Sequence, residues 1–200
     1  MAKDIPAKDV AALRARTGAG MMDCKKALEE AGGDMERAVD ILRKKGTARA
    51  EKRAGRTAAQ GVVSSYIHFN GRVGVLLELN CETDFVANTD DFQTLAREVA
   101  MHIASANPIA VSPDQVPADI VAREKAIYLE QAKESGKPAA VQEKMAEGKL
   151  RKFFEERVLL EQPYVKDDKQ KVGDLVKAVS GKVGENVVVR RFARFEVGGD

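Results

Sequence analysis

Cysteine and histidine each occur only twice in this 200-residue chain, and aromatic side chains make up 5% of it. Cys24 and Cys81 are too few for a disulfide framework, and neither a CxxC pair nor a Cys/His metal spacing occurs. Reduced thiols in a cytosolic protein are the simplest account. Two histidines and two cysteines leave little material for metal or acid–base sites. The GxxxxGK[ST] phosphate loop, the GxGxxG turn and the GxSxG elbow are all missing. No apolar run approaches the ~20 residues that span a bilayer. The start, Met-Ala-Lys-Asp-Ile-Pro, has no signal-peptide core, so a soluble cytoplasmic protein is expected. Charge of one sign is lacking too: 33 basic against 31 acidic residues leave +2. That argues against nucleic-acid binding by the whole surface, which needs a basic face. What remains is an interaction protein, with neither enzymatic chemistry nor a cofactor expected.

The chain is long enough to bury a core without staples. Its first ~45 residues read as three short helices. Val10 and Leu13 recur at helical spacing before Thr17-Gly18-Ala19-Gly20 interrupts. Cys24, Ala27, Leu28 and Ala31 share one face of a second helix, Met22 to Ala31. Asp34 is a natural N-cap for a third. There Met35, Ala38, Val39 and Leu42 form a stripe, and the helix is expected to end at Arg43-Lys44-Lys45 before Gly46. So small a core is marginal alone. We therefore expect a module over 1–46, a basic linker over 47–60, and a core over 61–200. The run Arg43 to Arg56 holds seven basic residues and one acid, Glu51. It reads either as a solvated hinge or as a contact for an acidic surface or RNA.

Beyond the linker the period changes to two. Gly61 to Phe69 is a strand, Asn70-Gly71 a hairpin turn, and the return strand puts Val73, Val75, Leu77, Leu79 and Cys81 on one face. Cys81 thus falls in the apolar set, where packing is the ordinary role. A thiol site built from Cys81, His68 and Asp84 is the sharper alternative. Phe92, Leu95, Val99 and Ile103 line a helix from about Asp90 to Ser105, with His102 beside them as a structural histidine. A charged helical hairpin is expected over about 119–160, Asp119 to Ser135 and Ala139 to Leu160, broken at Gly136-Lys137-Pro138. A helix through Val172, Leu175, Val176 and Val179 and a strand from Asn186 to Val197 close the chain. A small antiparallel sheet with segregated helices makes the fold class α+β.

Between the return strand and the next helix lies Asn80-Cys81-Glu82-Thr83-Asp84-Phe85-Val86. A Phe at a strand exit normally turns into the core. The polar residues around it (Glu82, Thr83, Asp84, Asn88) argue instead for exposure, and an exposed Phe beside a carboxylate reads as a wedge for a partner. The residues alone leave both readings open.

That segment, together with Leu13-Arg14-Ala15-Arg16-Thr17-Gly18-Ala19-Gly20-Met21-Met22-Asp23-Cys24-Lys25-Lys26-Ala27-Leu28, resembles elongation factor Ts of bacterial translation. Lys149 to Phe154, Leu159 to Val165 and Val183-Gly184-Glu185-Asn186-Val187 extend the resemblance, in order, along the whole chain. The length resembles the compact form, which lacks the duplicated core subdomain of longer members, so a homodimer becomes an expectation. The resemblance implies a ubiquitin-associated-like three-helix module on an α+β core. It implies guanine-nucleotide exchange on elongation factor Tu, by expelling GDP and Mg²⁺ so that GTP can rebind. Thr83, Asp84, Phe85 and Val86 would then dislodge the partner's Mg²⁺. Phe85 would wedge into its GTPase domain, with Asp84 fixing the local hydrogen bonds. Arg14, Met21 and Met22 match positions that touch a GTPase-domain helix, and Val183 and Gly184 match a turn near the partner's phosphate loop. No membrane and no direct nucleic-acid partner is expected.

Overall fold

The structure, a computed structural model, describes residues 5–199. The leader reading rests on the start of the chain, most of which lies outside that range. The architecture is α+β. Its elements are α1 (Ala7–Thr17), α2 (Met21–Glu30), α3 (Met35–Glu51), β1 (Gln60–Ile67), β2 (Val73–Cys81), α4 (Asp84–Ala87) and α5 (Asp90–Ala106). They continue with α6 (Ala118–Lys133), α7 (Ala139–Arg157), β3 (Pro163–Tyr164), β4 (Asp167–Lys171), α8 (Val172–Val183) and β5 (Val188–Glu196). These fall into two compact units. One takes the chain up to Gly61, with Cys81–Phe92 and Val176–Val188; the other takes Val62–Asn80, Gln93–Leu175 and the chain from Val189 onward.

In the first unit the predicted helical stripes meet. Val10, Leu13, Cys24, Ala27, Leu28, Ala31 and Ala38 are buried together, with Met35, Val39 and Leu42 packed against them. α1 stops where Gly18 N–H donates to the Arg14 carbonyl at 2.7 Å. Asp34 caps α3 by accepting from Arg37 N–H at 3.0 Å. α3 departs from expectation, running through Gly46 to Glu51 and absorbing part of the basic segment. Gly46 costs a lone helix about 1 kcal/mol relative to alanine. The close approach of α8 depends on Gly181 instead, where a Cβ would sit 3.0 Å from the Gly46 carbonyl oxygen. Ion pairs hold the extension as well. Lys45 reaches Glu30 at 2.5 Å, Arg49 grips Asp23 with two bonds of 2.9 Å, and Lys177 meets Glu51 at 3.0 Å.

The second unit carries a three-stranded sheet in the order β1-β2-β5. The Asn70-Gly71 hairpin closes through His68 N–H to the Val73 carbonyl, 2.9 Å. Antiparallel pairing of β2 with β5 follows from two contacts in one register: Val197 N–H donates to Arg72 O at 2.9 Å, and Arg191 meets Glu78 at 2.6 Å. Val75, Leu77 and Leu79 are fully buried, as are Leu95, Val99 and Ile103 of α5. Arg194 caps α5 by donating twice to the Ala104 carbonyl, both at 3.2 Å. α6 and α7 form the expected hairpin, rooted where Ile120, Val121, Phe153 and Phe154 pack on Ala110, Val116 and Val158. α7 ends at Arg157, short of the Leu160 that its sequence pattern predicts. Val158 is extended and bridges Ala110 in parallel, and Leu159 and Leu160 N–H donate to the Ala110 and Val111 carbonyls at 3.0 Å. β3 and β4 form an antiparallel pair that the sequence pattern does not announce.

His102 is buried and fully bonded. Its Nε2–H donates to Gln162 Oε1 at 3.0 Å, and its Nδ1 accepts from Val165 N–H at 3.2 Å. Gln162 in turn donates to the Glu156 carbonyl at 2.8 Å. Burial lowers the affinity of His102 for a proton, with the Gln162 bond opposing weakly. A protonated ring would also set an Nδ1–H against the Val165 N–H. The unfolded chain takes up its proton near the ordinary value of about 6.5, before the folded protein does. Stability should therefore be full above about pH 6.5 and fall as pH drops below it. Thermal unfolding from about pH 8 to about pH 5 should show that slope, and His102→Gln should flatten it. An unchanged slope would mean other groups carry the dependence.

Candidate functional site

Residues 81–88 leave the end of β2 and turn once. Cys81 is buried, and its thiol donates to the Thr83 carbonyl at 3.1 Å. Burial first, then the Glu185 carboxylate, push that thiol up, so the thiolate a nucleophile needs is disfavoured. Thr83 is the N-cap, extended at φ −130°, its hydroxyl accepting from Val86 N–H at 3.4 Å. The helical turn Asp84–Ala87 follows, and Asn88 Nδ2 donates back to the Asp84 carbonyl at 2.9 Å. One turn has two faces. Ala87 is buried, Val86 is half-buried, Asp84 is exposed, and Phe85 stands 83% exposed. The sequence left Phe85 between core and surface; it is at the surface.

A short turn with an exposed aromatic would be expected to fray. Two carboxylates oppose that. Glu185 Oε2 accepts from the backbone N–H groups of Glu82 and Thr83, both at 3.0 Å, while Oε1 accepts from the Thr83 hydroxyl at 2.6 Å. Reciprocally, Glu82 Oε1 accepts from Asn186 N–H at 2.7 Å and lies 3.6 Å from Arg56. The Asn186 side chain donates to the Arg56 carbonyl at 2.8 Å and the Ala54 carbonyl at 3.4 Å. The Glu185 carbonyl accepts from Ser180 Oγ at 2.5 Å, and Gly184 N–H donates to the Ser180 carbonyl at 3.0 Å. Gly184 adopts φ +81°, a left-handed cap that suits glycine. Each acid thus satisfies backbone donors of the other's segment, and such charge-assisted bonds are the strong class.

The other expected contact residues lie in the same unit. Val183 ends α8 and is half-buried; Gly184 is exposed. Arg14 is exposed on α1, and Met21 and Met22 are 45% and 64% exposed at the start of α2. The Asp23–Arg49 pair beside them holds the Asp23 carboxyl below its usual range. Three of the basic residues of the Arg43–Arg56 run, Lys45, Arg49 and Arg56, meet carboxylates of the chain itself. His68 in the other unit bonds the Tyr66 hydroxyl at 3.1 Å. No group of three or more His, Cys, Asp or Glu among the described residues is placed to hold a metal ion. Glu82 and Glu185 were visible only as members of two motifs. Their pairing spans about a hundred positions, beyond any local pattern.

The family model described as "Elongation factor TS" matches residues 8–199. The chain belongs to that family. Among curated relatives, elongation factor Ts of Syntrophobacter fumaroxidans is 53% identical over 200 residues, covering 100% of both chains. That of Fervidobacterium nodosum is 54% identical over 98% of this chain and 99% of its own. That of Carboxydothermus hydrogenoformans is 56% identical over 97% of this chain and 89% of its own. The family is thus matched at full length, and the turn at Phe85 and its carboxylate supports belong to a translation-factor scaffold.

Asn186 is 5% exposed and holds two backbone carbonyls. Asn186→Ala should cost about 1–3 kcal/mol, because those acceptors lose their donor. Urea unfolding measures it; a loss below about 0.5 kcal/mol would show that water replaces the amide.

Proposed function

We propose that this protein is the guanine-nucleotide exchange factor for elongation factor Tu, acting by binding and not by covalent chemistry. The observation that carries the reading is the family membership joined to Phe85, a large apolar side chain 83% exposed on a turn fixed by hydrogen bonds. Phe85 inserts into the partner's GTPase domain beside its Mg²⁺ site, with Thr83, Asp84 and Val86 shaping the turn. Mg²⁺ and then GDP leave, and GTP binding releases the factor. Arg14, Met21 and Met22 supply a second contact, and Val183 and Gly184 a third near the bound phosphates. The cytoplasm, where translation runs, is the place of action. The helices α1 to α3 are read as a ubiquitin-associated-like module, its expected range 1–46 lengthened by α3 to Glu51, with the rest of the expected linker 47–60 leading to the core 61–200.

The energetics support a wedge. Burying a Phe removes roughly 150–250 Å² from water, an upper bound of about 4–6 kcal/mol before ordering costs. That gain works against the loss of a few ligands around the partner's Mg²⁺. Linkage adds a requirement: whatever factor weakens nucleotide on the partner also weakens this protein when nucleotide binds. Release of a fluorescent GDP analogue from elongation factor Tu, with this protein in catalytic amounts, is the test. Wild type should accelerate release, and Phe85→Ala should lose about 10- to 100-fold with an unchanged melting curve, the loss expected at a buried aromatic anchor. Full activity in Phe85→Ala would move the site elsewhere; no acceleration by wild type would remove the reading.

A homodimer is the second proposal, favoured by the sheet. A Cβ on Gly74 would meet Ile67 Cδ1 at 3.0 Å, so Ile67 shares the face of Gly74, Leu76 and Glu78. Arg191 pairs with Glu78, which places Phe195 there by alternation. Val63, Ile67, Leu76 and Phe195 are all exposed. An apolar sheet face needs cover, and a second copy supplies one where the duplicated subdomain of longer members is missing. Light scattering should give a dimer that Phe195→Lys dissociates; a wild-type monomer at high concentration would overturn it.

A further inference from the structure

Four segments converge on one pair of acids: the end of β2, the wedge turn, the Val183-Gly184 turn, and the chain leaving α3. Glu185 takes three donors from Glu82 and Thr83, the last two residues before α4. Glu82 takes the Asn186 N–H, and Asn186 reaches back to Ala54 and Arg56. The two carboxylates are crossed, so neither segment can shift without breaking bonds to the other. Neither acid is among the exposed residues: both are half-buried beneath the turn whose surface offers Asp84 and Phe85.

We propose that Glu185, with Glu82 in return, is a positioning residue for exchange: it sets the angle of the Phe85 wedge and locks the wedge to the Val183-Gly184 turn. The inference rests on the exchange reading above. Its physical content is pre-organisation. A free four-residue helical turn would sample many orientations, and each must be given up on binding. Three bonds to one carboxylate remove that freedom beforehand. The same crossed bonds make the two turns one body, so that a push on one is carried to the other. What matters is acceptor geometry and reach. A glutamine can present one oxygen to both N–H groups and an amide to the Thr83 hydroxyl, which can accept. An aspartate, one methylene shorter, cannot span the gap.

The experiment is GDP release from elongation factor Tu with wild type, Glu185→Ala, Phe85→Ala and the double variant, each over a range of factor concentrations. Glu185→Ala should lower the maximal release rate about 10-fold, the scale on which misplacement of an acting group is felt. In the Phe85→Ala background the same change should add less than about 2-fold, because the wedge that Glu185 orients is gone while Gly184 keeps its own bond to the Ser180 carbonyl. Equal losses in both backgrounds would overturn the proposal and leave a stability role. Glu185→Gln should retain most of the wild-type rate and Glu185→Asp should not; this pair decides the matter if Glu185→Ala fails to fold. Wild-type rates in both Glu185→Ala and Glu185→Asp would also overturn it. Release by wild type in the same series separates these results from failure of the exchange reading, which would show as no acceleration at all.

Discussion

The exchange of backbone hydrogen bonds between Glu82 and Glu185 is the constraint around which the first unit is arranged. Cys81 ends a strand with its side chain buried, and four residues later the chain must present an aromatic outward. A strand exit has unpaired N–H groups, and leaving them unmet in a half-buried place costs free energy. Glu185 meets two of them with one oxygen, at 3.0 Å each. The same residue follows Gly184, whose left-handed backbone turns α8 toward β5. The cap of one helix thus becomes the anchor of another turn, and Asn186 extends the anchor to the carbonyls after α3.

Around that anchor the unit separates rigid support from exposed apolar surface. Phe85 and Met22 are more than half exposed, yet each is attached to a bonded frame: the carboxylate pair for one, the Asp23–Arg49 pair for the other. Surface ion pairs add little to stability. Their value here is geometric, since the bidentate arginine fixes the first turn of α2. The basic run from Arg43 to Arg56 contributes to this frame. Three of its seven basic residues, Lys45, Arg49 and Arg56, reach Glu30, Asp23 and Glu82 of the same molecule.

The second unit shows how a buried polar group can be made harmless. His102 would cost several kcal/mol if buried without partners. Gln162 and the Val165 N–H take both ring nitrogens, and the network ties α5 to the segment after α7. Because burial keeps the ring neutral, this tie also makes the fold sensitive to acid.

Much of this was legible in one dimension. The stripes Val10–Leu13, Cys24–Ala27–Leu28–Ala31 and Phe92–Leu95–Val99–Ile103, the Asp34 cap, the Asn70-Gly71 hairpin and the alternation of β2 all follow from residues within a turn or a pleat of one another. Periodicity reports such neighbours directly. It failed where a distant contact overrides local preference. α3 passes Gly46 because Gly181 packs there, α7 stops at Arg157 because Val158 is drawn into a bridge with Ala110, and the β3–β4 pair forms with little apolar pattern to announce it. The exposure of Phe85 lay between these cases. The sequence by itself determined that an acid and an aromatic stand at a strand exit. Only the tertiary structure decided that the aromatic faces outward, because the acceptors that hold its turn come from Glu185, 102 and 103 residues away.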